Sequence, residues 1–234
     1  MSIFHENMLL GASASTSQYQ LQRSLRFTSA DSAFLSRTSV AGNRKTWTWS
    51  GWVKRSALGA SYYQLFVANT GANDAQSGFA SEALRIYCGV SANATTTAVF
   101  RDCSAWYHVV FYVDTTNATA GDRLRIYVNG IRQTTTGTNP ALNADLAFNQ
   151  AITHNIGRYW SGVEYFDGYL ADVHFIDGQA LTPSSFGQTD ATTGQWVPIA
   201  YTGTYGTNGF KLSFSDNSTA AALGTDTSGN GNTW

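Results

Sequence analysis

Charge is what this sequence has least of. Charged side chains make up 12% of its 234 residues, about half the usual share of roughly 25%. A lone soluble domain normally covers itself with more. Either much of the surface is buried against other subunits, or Ser, Thr, Asn and Gln solvate it; the second is plain along the chain. The 14 Lys and Arg nearly balance the 15 Asp and Glu and form no basic block, which excludes the electrostatic footprint of a nucleic-acid binder. No apolar run nears the ~18 residues of a membrane-spanning helix. Cys88 and Cys103 are the two cysteines, fifteen apart and without a CxxC. That excludes a cysteine zinc site and favours two free thiols over a disulfide. The opening MSIFHENMLLGASAS has Glu6, no basic region and too short an apolar stretch for a secretory signal. The expectation is an unprocessed protein made in a cytoplasm, with the glycosylation-like triplets at Asn93, Asn117 and Asn217 read as composition.

Helix signals are missing as well: no stretch longer than two turns combines caps with a 3.6-residue period. What the chain has is apolar and aromatic residues, 43% and 14%, including 7 Trp, laid out as short strands between Gly, Asn, Asp, Ser and Thr clusters. Strands are expected at 24–29, 46–55, 62–69, 83–90, 97–102, 106–114, 123–130, 153–160, 168–178 and 210–215. In TWTWSGWVKR, Trp47, Trp49, Gly51 and Val53 fall on one face, Trp52 and Lys54 on the other. WYHVVFYVD is apolar on both faces, as a strand covered on both sides would be, and Trp106 is read into the core with Trp47 and Trp49. Asn129-Gly130 is a strong hairpin signal. Thr182 and Pro183 suit the N-cap and first position of one helical turn. Many short strands and almost no helix give an all-β antiparallel β-sandwich of jelly-roll type.

The flanks read differently. Residues 1–22 are an arm whose apolar patch, Ile3, Phe4, Met8, Leu9 and Leu10, is expected to anchor on a partner. Residues 23–186 form the jelly roll, and 187–234 a turn-rich extension with one strand. Trp234, directly after a Gly/Asn turn, implies either a chain cut short or an indole docked on a neighbour.

Candidate chemistry is thin. Glycoside cleavage needs two carboxyl groups facing each other at ~5 to 9.5 Å, and jelly-roll glucanases carry Glu-x-Asp-x(x)-Glu on one strand face. Only Glu6, Glu82 and Glu164 are present, in no such pattern. Asp167 and Asp172, five apart, fall on opposite faces of an unbroken strand. Asp172 and His174 share a face, but two ligands are too few for zinc. Asp167-Gly168 and Asp177-Gly178 read as turn formers bonding their own backbone. Calcium on a loop stays an open reading with no assignable ligand set; no other cofactor, and no catalytic residue, is expected. His108 reads as a core histidine with one hydrogen bond. The remaining aromatics, Tyr62, Tyr63, Tyr159, Trp160 and Tyr165, sit near loop ends beside Arg158, where they suit either sugar stacking or a subunit interface, the latter slightly favoured.

The order of segments carries a resemblance. SLRFTSADSAFLSRT, TWTWSGWVKRS, WYHVVFYVD, LRIYVNG, IGRYW and YFDGYLADVHFIDGQALTPSSF resemble the laminin-G-like, concanavalin A-like jelly-roll superfamily over residues 24–186. NRKTWTWSGWVKRS, DGQALTPSSFG, AYTGTYGTNGF and DTSGNGNTW are further similar to tailed-bacteriophage virion proteins such as tail fibres and appendages. The resemblance implies a structural or adhesion component of a virion, a homo-oligomer that contacts other virion proteins and sister subunits. A host-surface glycan would be held on its loops, and no nucleic acid or membrane would be engaged. The alternative is a lectin-like domain of a bacterial surface protein; a polysaccharide hydrolase comes third.

Overall fold

The alternation in TWTWSGWVKR becomes a strand of the same bounds, in which Trp47, Trp49 and Val53 have no exposed surface. In the computed structural model, residues 19–59, 61–69, 74–89 and 91–234 are described. Their strands are β1 (Leu25–Phe27), β2 (Leu35–Thr38), β3 (Thr46–Arg55), β4 (Tyr62–Asn69), β5 (Asp74–Ala80), β6 (Ala83–Tyr87), β7 (Asn93–Val99) and β8 (Tyr107–Asp114). Then come β9 (Leu124–Val128), β10 (Ile131–Arg132), β11 (Thr135–Thr138), β12 (Thr153–Ile156), β13 (Gly168–Asp177), β14 (Gly187–Thr189), β15 (Trp196–Pro198) and β16 (Phe210–Leu212). A first sheet runs β1-β13-β3-β8-β9-β10, with β16 also on β13. A second runs β11-β7-β6-β5-β4-β12-β2, and β14 with β15 makes a separate hairpin. The expected antiparallel β-sandwich is therefore what forms.

The core lies between the two large sheets. Phe66 stacks on Phe148 at 5.2 Å, Trp47 meets the edge of Phe148 at 4.8 Å, and Phe175 stacks on Phe210 at 5.8 Å. Trp234 joins them, 4.8 Å from Phe210 and 6.0 Å from Phe66. It docks on its own chain. The cause is Asp226, whose carboxylate accepts the backbone N–H groups of Lys211, Ser228 and Asn232 and folds the last turn back onto β16. Residues 187–234 thus add a hairpin and a sheet strand, more than the one strand expected. Asn129 and Gly130 take φ of 48° and 80°, as the hairpin signal requires, and Pro183–Ser185 is a 3-10 turn after Thr182.

β13 departs from the expected even alternation. Ala171 pairs with Trp52 and His174 with Ser50, so Asp172 and Val173 together face Gly51. This is a β-bulge, and Asp172 adopts φ 47° to make it. The extra residue resets the phase: Leu170, Val173 and Phe175 all enter the core, while Ala171, Asp172 and His174 stay on the outer side. Asp167 and Asp177 do not bond their own turns either. Asp167 Oδ2 accepts from Ser29 Oγ at 2.8 Å. Asp177 Oδ1 accepts from Asn43 N at 2.9 Å and Asn149 Nδ2 at 2.6 Å, and its Oδ2 from Asn208 N at 3.0 Å. Each acid ties down loops distant in sequence, because the sandwich brings those loops to the end of β13.

Candidate functional site

Part of the outer face of the first sheet is covered. Val110, Tyr112, Tyr127, Ile176 and Phe186 form a second apolar cluster there, roofed by Leu181, Tyr201 and Tyr205. The roof ends at the β14–β15 hairpin, and past it the face opens around Trp52. Trp106, expected in the core, stands here 36% exposed. It precedes β8 and escapes the ladder, so its indole rises at the rim, 6.4 Å from the Tyr169 ring.

Trp196 forms the opposite bank and is held rigidly. Its ring lies on Gly130 and Gly187, where an added Cβ would come within 2.5 Å and 2.6 Å of it. The Asn129-Gly130 turn therefore has a second task, to leave a floor for an indole. Trp196 Nε1 donates to Nδ1 of His108 at 3.0 Å. An indole N–H can only donate, so Nδ1 is the acceptor and Nε2 carries the proton, given to Ser50 Oγ at 2.9 Å. His108, 1% exposed, lies between Trp52 and Trp196 with ring separations of 5.1 and 5.9 Å. Burial, reinforced by His174 and opposed by Asp172, pulls its pKa down to about 3 and keeps it neutral. The expected core histidine thus has two partners and positions a surface tryptophan.

A charged network borders the groove. Asp172 Oδ2 stands 3.1 Å from His174 Nε2, and Oδ1 accepts from Tyr19 OH at 2.8 Å with Lys211 Nζ 3.6 Å away. His174 Nδ1 is 2.9 Å from Tyr205 OH. Burial raises the Asp172 pKa, but His174, then Lys211 and Tyr19, outweigh it and hold the carboxyl below its ordinary value. Burial and the adjacent Asp172 push the Tyr19 phenol up. The network seats residues 19–24 beside β13, where they wall a cleft of about 520 Å³ with Trp52, Trp106, Ala171 and Pro198. A second cleft of about 600 Å³ adjoins it, walled by Trp52, Trp106, Trp196, Asn129, Thr189 and Gln195.

The aromatics singled out in the sequence lie elsewhere, on the second sheet and the loop after β12. Tyr62, 41% exposed, and Tyr87 both face Arg85, at 5.0 and 4.5 Å. Tyr63 donates to Leu58 O and its ring is 5.4 Å from Arg55. Arg158 covers the Phe34 ring at 3.4 Å. Tyr159 donates to Asp74 Oδ2 at 3.2 Å, beside the exposed Trp160, and Tyr165 is half-buried near Gly162. Glu164 fastens this loop to β4 through the backbone and side chain of Gln64. Ile3, Phe4, Met8, Leu9 and Leu10 lie outside the described residues. Asp167 and Asp172 serve separate networks, and no group of three or more His, Cys, Asp or Glu converges as metal ligands among the described residues. Cys88 and Cys103 are free thiols.

Two large antiparallel sheets packed face to face define an antiparallel β-sandwich. Residues 27–186 match the concanavalin A-like lectin/glucanases superfamily, and the chain belongs to that family. Among solved structures it is similar to a Bacteroides ovatus protein assigned to carbohydrate binding, with 15% identity and a TM-score of 0.59 over 87% of this chain and 55% of that one. It is also similar to domains LG4–5 of the mouse laminin α1 chain, with 11% identity and a TM-score of 0.49 over 82% and 49%. Domain 4 of an extracellular arabinanase from Geobacillus stearothermophilus, solved with arabinotriose, matches at 20% identity and a TM-score of 0.45 over 62% and 65%. The chain thus spans about half to two thirds of the lengths of these proteins. No curated protein matches the sequence.

Proposed function

We propose that this domain is a carbohydrate-binding module without a catalytic step of its own, and that the Trp52–Trp106–Trp196 groove holds the sugar. The observation that carries this reading is the fixed Trp196, pinned from within by a neutral His108 and from below by two glycines. A rigid indole needs no ordering on binding, and its apolar face suits the C–H face of a sugar ring while nearby amides and hydroxyls take the ring's hydroxyls. The family and the assignment of the Bacteroides ovatus protein support the same reading. Trp106→Ala is the clean test, because this side chain stands 36% exposed at the rim and its one ring–ring contact among the described residues is with Tyr169. We expect affinity for a bound polysaccharide, measured by affinity electrophoresis, to fall about tenfold or more, which is ~1.4 kcal/mol or above, with the thermal midpoint unchanged. Undiminished binding by this variant rules the groove out.

The carrier of the module is a separate matter. We infer a bacteriophage particle, with residues 1–22 as its anchor and sister subunits around it, from the similarity of NRKTWTWSGWVKRS and DGQALTPSSFG to virion proteins. Deleting residues 1–18, which keeps the groove wall at 19–24, should then remove the protein from purified particles; a product found instead on a bacterial surface would favour the lectin-like domain of a surface protein.

A further inference from the structure

The groove is longer than one sugar. Its two clefts share Trp52 and Trp106 and then diverge, one toward Ala171 on β13, the other toward Asn129 at the β9–β10 hairpin. In the first sheet the order is β13-β3-β8-β9. At 4.7–4.9 Å per strand, three spacings give roughly 14 Å, room for about three sugar rings in a row. Both clefts are open to solvent, so a chain can enter and leave the groove without ending inside it.

The lining says which chain. Polar groups along it are the amides Gln20, Gln22, Asn129 and Gln195 and the hydroxyls Tyr19, Ser24 and Thr189. Arg23 brings one charge at one end, and no carboxylate lines either cleft among the described residues. Such a surface exchanges hydrogen bonds with hydroxyl groups but gives a polyanion only one counter-charge. Both end walls, residues 19–24 and the β14–β15 hairpin, lie outside the family match at 27–186. The groove thus joins a floor within the matched region, Trp52, Trp106 and Asn129, to end walls that lie outside it.

We infer that the groove binds an internal stretch of a linear, uncharged glycan, with Trp52 and Trp106 at its middle position; this rests on the carbohydrate reading above. The test is calorimetry of the full chain with neutral gluco-, xylo- and arabino-oligosaccharides of one to six units, and with polygalacturonate as the charged counterpart. Affinity in the preferred series should climb at least tenfold between one unit and three or four, then level off, and blocking the chain end should leave it unchanged. Equal affinity for one unit and six would overturn the internal-stretch inference while the carbohydrate reading stands. So would tightest binding to polygalacturonate that Arg23→Gln abolishes. If no saccharide binds and the protein instead self-associates in a way Trp106→Ala removes, a second copy occupies the groove and both readings fail.

Discussion

Glu82→Ala should cost about 3–5 kcal/mol of stability, because it leaves a buried guanidinium without its counter-charge. Arg55, at the end of β3, is 1% exposed. Its Nη1 donates to Phe100 O at 2.7 Å and to Glu82 Oε2 at 3.2 Å, and its plane lies 4.3 Å from the Phe79 ring centre. Glu82 also accepts from Gly59 N at 2.8 Å, so one carboxylate fixes a loop and a buried cation together. Arg101, exposed and 4.0 Å away, adds little. For a chain of this size the loss corresponds to a fall in thermal midpoint of roughly 2–4 °C per kcal/mol. Arg55→Met should be milder, since it fills the same apolar space and leaves Glu82 close to solvent. Denaturant unfolding of the two variants decides the matter: an alanine at 82 no worse than a methionine at 55 would show that the pair contributes no more than its packing.

Glu82 illustrates how far the sequence could be read. In the sequence it is one of three glutamates in no catalytic pattern, and its ionic role depends on Arg55 arriving from another strand. Strands with strong alternation were legible to the residue, β3 and β4 among them. β5 was not: Asp-Ala-Gln-Ser-Gly-Phe-Ala has one large apolar residue and no β-branched one, and it is a strand because β4 and β6 pair with it on both sides. β7 begins at Asn93, before the stretch that looks like a strand, for the same reason. The bulge in β13 was hidden because Asp172 fits a two-residue period as well as any polar residue does. The groove was hidden by symmetry. In β8 both faces are apolar, so nothing in WYHVV says which side the roof will leave open, and the pattern reads Trp106 inward although it stands exposed at the rim. Its partner Trp196 sits in a turn-rich flank and becomes a wall only when the hairpin lands on Gly130. Trp52 alone gave a usable signal, an indole set outward on an otherwise well-patterned strand.

Acid should take the groove apart through its histidine. Burial pulls His108 down to about 3 and His154 down to about 4, against about 6.5 in an unfolded chain. Between those values the unfolded chain holds a proton at each site that the folded one refuses. Stability therefore rises with pH across this window, is fully present above about 6.5, and is lost as pH falls toward 4. The slope approaches about 1.4 kcal/mol per pH unit for each histidine, so the loss for the two together is on the order of several kcal/mol by pH 4. Geometry gives the same answer as charge. His154 Nε2 accepts from Asn149 N at 3.1 Å, and His108 Nδ1 from Trp196 Nε1 at 3.0 Å. A proton on either acceptor sets two donors against each other. For His108 the displaced donor is the groove's own wall, so glycan affinity should weaken over the same pH range as stability. Denaturant titrations at half-unit steps from pH 7 to pH 4, run beside binding, measure both; a stability that stays flat from pH 6.5 to pH 4.5 would mean that neither imidazole is held neutral by the fold.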